Sequence, residues 1–274
     1  MIRKIFAQDL RATWKSLSST IGILMLVAAV SLVLAALRVP VLGGLGLVVA
    51  LIAMIVLTPI VLGILAENYW RTMYGREGYF TMALPVTGRA LFSAKVLYGL
   101  TASLAAIVLT ALGLFACAAV FASSIGQGVV EFLRMGIEQL GIGMAWFLVG
   151  CVILQLAYLV VVGAGIMSVG ARARFNHLGF GAPVIGAVLM YVVVTVAGFA
   201  AMLFVPFGVR LAGPESGAIV AEGMFRSFVD DVTGRTSSDV PDVFGLGILL
   251  VSVIATGVFA WWGARSVQHH TSLR

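Results

Sequence analysis

Six stretches of this chain contain no Asp, Glu, Lys or Arg: Ile21–Leu37, Val41–Leu65, Val96–Ala122, Leu140–Val169, Gly181–Val205 and Val243–Ala264. A helix needs roughly 20 apolar residues to cross the hydrocarbon core of a bilayer. Apolar residues run through each stretch without the alternation of a barrel strand, so the pattern predicts membrane-spanning helices. Of the 274 residues, 61% are hydrophobic and 10% charged, whereas soluble domains average roughly 45–50% and about 25%. That composition excludes a soluble enzyme, a disordered regulator and a nucleic-acid module. The formal net charge of +6 does not bring nucleic acid back, because the charges cluster between the apolar stretches. Such clustering is a membrane topology signal. Cys117 and Cys151 lie inside apolar stretches and read as small packing residues.

Orientation follows from the basic residues. With the N-terminus in the cytoplasm, twelve of the seventeen Lys and Arg fall in inner segments and five in outer ones. The asymmetry predicts both termini inside. Eight of the eleven acids fall in the outer segments under the same arrangement. The first apolar stretch is longer than the roughly 7–15 residues of a cleaved signal peptide, so it is expected to remain as a span.

Before that span, residues 1–19 carry Ile2, Ile5, Phe6, Leu10, Trp14 and Leu17 at helical spacing, with Lys4, Arg11 and Lys15 on the other side. Arg3 and Asp9 sit on the flanks. The pattern predicts an amphipathic interfacial helix facing anionic lipid. Arg38–Pro40 reads as a tight outer turn, Ser123–Gln139 as a short outer loop, and residues 206–242 as a long acidic outer segment. Within the last, Ile219–Val232 has the partly helical spacing of a short surface helix. Gly150, Gly163 and Gly165 offer places for the long fourth span to bend. With no repeat and no linker, residues 1–274 read as a single membrane domain of all-α class.

The spans hold no Asp, Glu, Lys, Arg or His, which argues against a proton- or sodium-coupled carrier. His177, His269 and His270 lie at cytoplasmic edges and make no metal pair, and no Gly-x-Ser-x-Gly elbow is present. No catalytic and no metal-binding residue is assigned. A P-loop needs Lys followed by Ser or Thr after a glycine. Of Lys4, Lys15 and Lys95, only Lys15 precedes a serine, and Trp14 stands before it. Any ATP-driven work must therefore come from another chain. Gln155 is the costliest polar group in the spans; it either bonds a neighbouring helix or faces a pathway.

Residues 66–95 read AENYWRTMYGREGYFTMALPVTGRALFSAK. Glu67–Tyr74 can extend span two beyond the membrane. Gly75 and Gly78 interrupt it, Pro85 stops any preceding helix, and Thr87 can cap a new helix running through Lys95 into span three. The result is either an aromatic, charged docking element or a structured loop without a partner.

This segment resembles the transmembrane subunits of type-2 ABC exporters, in their small bacterial permease branch. Such permeases show Tyr-Gly-x-Glu-Gly, then Leu-Pro-Val, then Ser-x-Lys at the start of span three. The matching residues are Tyr74-Gly75-Arg76-Glu77-Gly78, Leu84-Pro85-Val86 and Ser93-Ala94-Lys95. The layout of six spans and an amphipathic N-terminal helix is also similar. The resemblance implies an inner-membrane permease that works as a homo- or heterodimer with cytoplasmic ABC ATPase subunits, which bind Mg-ATP; this chain itself takes no cofactor. It implies that the loop after span two couples to the ATPase, that spans two and five line the pathway, and that the outer segment before span six holds re-entrant helices. The coupling candidates are Glu67, Tyr69, Arg71, Tyr74, Gly75, Arg76, Glu77 and Pro85. The pathway candidates are Met54, Thr58, Tyr191 and Thr195. An uncharged pathway suits an apolar or amphipathic cargo such as a drug, a lipid or an antimicrobial peptide. The alternative is a non-transporting scaffold or sensor that binds a cytoplasmic partner.

Overall fold

The structure is a computed structural model that describes residues 2–37, 41–75, 77–83, 85–210, 219–225, 228–229, 233 and 243–269. Six helices are long and apolar enough to cross a membrane. The described helices are α1 (Ile2–Ala36), α2 (Leu42–Met73), α3 (Gly78–Met82), α4 (Gly88–Ser124), α5 (Val129–Leu140), α6 (Ile142–Gly170), α7 (Gly181–Phe204) and α8 (Gly247–His269). The spanning helices are α1, α2, α4, α6, α7 and α8. At 1.5 Å per residue the 37 residues of α4 extend roughly 55 Å, well past a hydrocarbon core of about 30 Å. The chain forms two compact units, one of Met1–Leu140 with Val267–Arg274, the other of Gly141–Ser266.

In the first unit α1, α2 and α4 pack against one another. Their core includes Leu17, Ala28, Ala50, Met54, Leu57, Val61 and Ala106. Without a water-driven hydrophobic force inside lipid, such helices associate through close packing and interhelical hydrogen bonds. Both devices are present. Gly113 of α4 lies so close to Met54 that a Cβ there would overlap its Sδ, and the Thr58 and Thr110 hydroxyls bond across the α2–α4 interface at 2.9 Å.

The helix expected over 1–19 is present, and it continues into the first span without a break. Its packed stripe differs from the expected apolar face. Ile5, Asp9, Thr13 and Leu17, four residues apart, are buried, while Leu10 and Trp14 are exposed. The Ser123–Gln139 loop contains the amphipathic helix α5, with an Arg134–Glu138 ion pair at 2.7 Å on its polar side. None of its residues is buried, although Phe132 meets Phe121 edge-on. A 12-residue helix with an apolar face was hidden by the charges that interrupt it.

The second unit holds α6, a 3-10 turn (Ala173–Leu178), α7, a small sheet and α8 as far as Ser266. Helix α6 runs without interruption. Gly165 lies against Phe259 of α8, while Gly150 and Gly163 face open space. The strands β1 (Gly208–Arg210), β2 (Ile219–Val220) and β3 (Val243–Gly245) form an antiparallel sheet in the order β2-β1-β3. Two expectations change here. Val243–Gly245 belongs to the sheet, so the last span begins at Gly247 instead of Val243. Ile219–Val220 is a strand, although Phe225, Phe228 and Val229 are helical. Phe225 stacks on Phe204 and Phe228 meets Phe199, which ties this segment to α7. Val232 lies outside the described residues. The described part of 206–242 thus holds both short strands and helical residues, and the re-entrant helices expected there fall largely outside the described residues.

Candidate functional site: the junction of α2 and α4

The segment between α2 and α4 is short and closely built. Helix α2 ends where the Tyr74 and Gly75 amides both donate to the Trp70 carbonyl, at 2.9 and 3.1 Å. A side chain at Gly75 would run into the Arg71 carbonyl, its Cβ only 2.7 Å away, so the turn requires glycine. The Gly78 amide then donates to the Gly75 carbonyl at 2.9 Å, opening α3. Pro85 is exposed in a bend that leads to Thr87, and Leu84 lies outside the described residues. Thr87 caps α4 as expected, its hydroxyl accepting from the Ala90 amide at 3.4 Å.

The predicted coupling residues divide by exposure. Tyr69 and Tyr74 are buried. Tyr74 sits against Tyr69 and Trp70, with ring centroids 6.3 and 5.4 Å apart. Glu67 and Pro85 are exposed, and Arg71 and Glu77 form an exposed ion pair at 3.4 Å. Such a pair contributes only about 0–1 kcal/mol. Arg76 lies outside the described residues. Two exposed aromatics were not singled out: Tyr79 and Phe80 on α3, the latter 78% exposed. In sequence they read only as part of the uncharged stretch Tyr79–Leu84. Large exposed aromatics rimmed by charge are the composition of a contact surface.

Beneath this surface lies a buried polar network. Lys95 Nζ donates to Asp9 Oδ1 at 2.6 Å and to Thr72 Oγ1 at 2.8 Å. The Asp9 and Lys95 side chains are 2% and 5% exposed. Thr72 Oγ1 in turn donates to the Asn68 carbonyl at 2.7 Å. The Thr13 hydroxyl donates to the Asp9 carbonyl at 2.9 Å and bonds the Tyr98 hydroxyl. Phe6 closes over Tyr98 edge-on. Removing one member of a buried ion pair typically costs about 3–5 kcal/mol, because the other charge stays buried. The network therefore locks the first turns of α1 to the end of α2 and the start of α4. Asp9 Oδ2 and Asn68 Oδ1 accept no hydrogen bond among the described residues.

The helical spacing predicts Asp9 on a flank and the charge count puts Lys95 in an inner segment; both are instead interior. The available signal was an odd one. Asp9 is the sole acid in the first 66 residues, and it falls on the same four-residue stripe as Ile5 and Leu17. Its partner lies 86 residues away, beyond the reach of any local pattern.

The pathway candidates fall in different surroundings. Met54 is wholly buried against Gly113, and Thr58 is engaged with Thr110. Tyr191 and Thr195, one turn apart on α7, are exposed. Gln155 is exposed on α6, where lipid would leave its amide unsatisfied.

Fold and site define a multi-pass membrane protein of six apolar helices. The chain matches no protein-family model, no curated protein and no solved structure.

Proposed function

We propose that this chain is the permease subunit of an ATP-driven exporter of the type-2 ABC kind, seated in a bacterial inner membrane with both termini in the cytoplasm. A second permease subunit completes the pathway, and separate cytoplasmic ATPase subunits bind Mg-ATP. The observation that carries this reading is α3. It presents Tyr79 and Phe80 outward between two spanning helices whose ends are bonded together through Lys95. A push on such a surface moves α2 and α4 as one body, because packed interiors shift between discrete arrangements and do not deform continuously. Docking rests on the exposed Tyr79, Phe80, Arg71 and Glu77, while Tyr69 and Tyr74 support them from inside.

The exposed Tyr191 and Thr195 are the better pathway candidates, since Met54 is committed to packing. An uncharged face suits an apolar or amphipathic cargo: a drug, a lipid or an antimicrobial peptide. The test is to purify the tagged chain from its native membrane, identify the copurifying subunits by mass, and reconstitute them. An ABC ATPase in the complex, with ATP-dependent flux of a lipophilic dye in vesicles, is the expected result. A stable cytoplasmic partner that hydrolyses no ATP and supports no flux overturns the exporter and leaves a scaffold or sensor.

A further inference from the structure

One end of the second unit combines an apolar groove with three arginines. The groove has a volume of about 350 Å³ and is lined by apolar side chains, among them Ile166, Phe175, Ile185, Leu189 and Trp262. Its wall on α7 runs from Ala182 to Val193. At 1.5 Å per residue that is roughly 16 Å, three turns along the helix axis. A slot of that length suits an extended chain better than a compact ring.

The charge sits where α6 ends. Arg172 donates from Nε to Ser266 Oγ at 3.0 Å, and Ser266 donates onward to the Ser168 carbonyl at 2.7 Å. The Arg172 guanidinium lies 5.4 Å from the ring centre of Trp262, which itself lines the groove. Arg174 is exposed on the 3-10 turn, and Arg265 lies over Trp261. None of the three arginines has a carboxylate partner among the described residues. Along the chain, residues 139–214 and 243–274 contain no Asp or Glu. Trp261 and Phe180 are exposed at the same end. Tryptophan and arginine together mark the headgroup level of a bilayer.

We infer that this groove binds an acyl chain of an anionic membrane phospholipid, with Arg172 and Arg174 holding the phosphate. The apolar slot supplies the chain site and the arginines select the headgroup. Arg172 is aimed by Ser266 and Trp262 and so is already ordered for the contact. This inference is independent of the exporter reading.

The test uses the full chain with Trp262 as its single tryptophan; Trp14, Trp70, Trp146 and Trp261 become Phe. It is reconstituted in vesicles containing phosphatidylglycerol or phosphatidylcholine with brominated chains, at equal low mole fraction. Bromine quenches tryptophan only at close range. The brominated anionic lipid should quench Trp262 far more strongly than the zwitterionic one. Arg172→Gln and Arg174→Gln should each weaken that preference about fivefold, the factor for one basic residue near an anionic headgroup. Equal quenching by both lipids means ordinary surrounding lipid and overturns the inference. Quenching by neither means that protein fills the groove, and overturns it too. Native mass spectrometry of the unaltered chain gives a second reading that needs no tryptophan replacement. One anionic phospholipid should survive detergent exchange and be lost in the double arginine variant, while retention of phosphatidylcholine to the same extent overturns the site.

Discussion

Asp9 and Lys95 show how a membrane protein can keep two charges out of water. The 2.6 Å contact and the Thr72 hydroxyl take two of the ammonium's three N–H donors, and both side chains are almost wholly buried. Lys95→Met strands the carboxylate and should cost about 3–5 kcal/mol in thermal unfolding in detergent. The double variant Asp9→Leu, Lys95→Met removes both charges and should recover most of that loss. A double variant as unstable as the single one would mean that the ion pair itself, and not the avoidance of a lone charge, holds the helices. Gly113 makes a separate case. Its missing side chain is the space Met54 occupies, and Met54 is only 1% exposed, so its thioether has nowhere to swing. Gly113→Ala should therefore cost about 1–3 kcal/mol, as overpacking does, and adding Met54→Val should relieve it. If Gly113→Ala leaves the melting temperature unchanged, the α2–α4 contact is looser than described.

At the scale of elements, the short helix α3 separates two roles that the sequence left mixed. Tyr74 is aromatic, interfacial in character and two residues from Arg76, and so reads as a docking residue. Its burial against Tyr69 and Trp70 makes it a support. Tyr74→Ala should lower thermal stability by about 3–5 kcal/mol, the range for emptying a large aromatic site. Phe80→Ala should leave stability within about 0.5 kcal/mol, as exposed substitutions do, yet reduce copurified ATPase. Pull-down at matched expression beside a melting curve distinguishes the two, and intact ATPase binding in Phe80→Ala with Tyr79→Ala would remove α3 from the interface. The caps and breaks of this segment were legible, since Gly75, Pro85 and Thr87 each act through their own backbone or hydroxyl chemistry. The buried stripe of α1 was not. Asp9 and Thr13 are interior only because Lys95, Thr72 and Tyr98 meet them from other helices. Helix α5 and the sheet escaped for a different reason. Charges break the apolar run of the first, and strands of two or three residues are too short to show a period.

For the whole molecule, the six spans were legible because lipid imposes a length and an apolarity that local sequence cannot disguise. The structure extends them at their ends, where α2 and α4 reach past the uncharged stretches to carry Thr72 and Lys95. Orientation rests on a different physical argument, the bias of Lys and Arg toward the cytoplasmic side. In the proposed orientation the α2–α4 junction and the 3-10 turn lie on the inner side, and the α4–α5 connection on the outer side. The burial of Lys95 weakens the count by one residue, because an ion-paired lysine inside the protein offers no free charge to the translocation machinery or to lipid. Eleven basic residues against five still favour the same sense. Single cysteines at Glu77 and Arg174 should then be labelled by an impermeant thiol reagent only after the membrane is opened, in a background lacking Cys117 and Cys151. Single cysteines at Ser124 and Glu138 should be labelled in intact cells. All four positions are exposed, so failure to label reflects sidedness and not burial. Labelling of Glu77→Cys and Arg174→Cys from outside, with Ser124→Cys protected, would invert the topology and with it put α3 beyond the reach of any cytoplasmic ATPase.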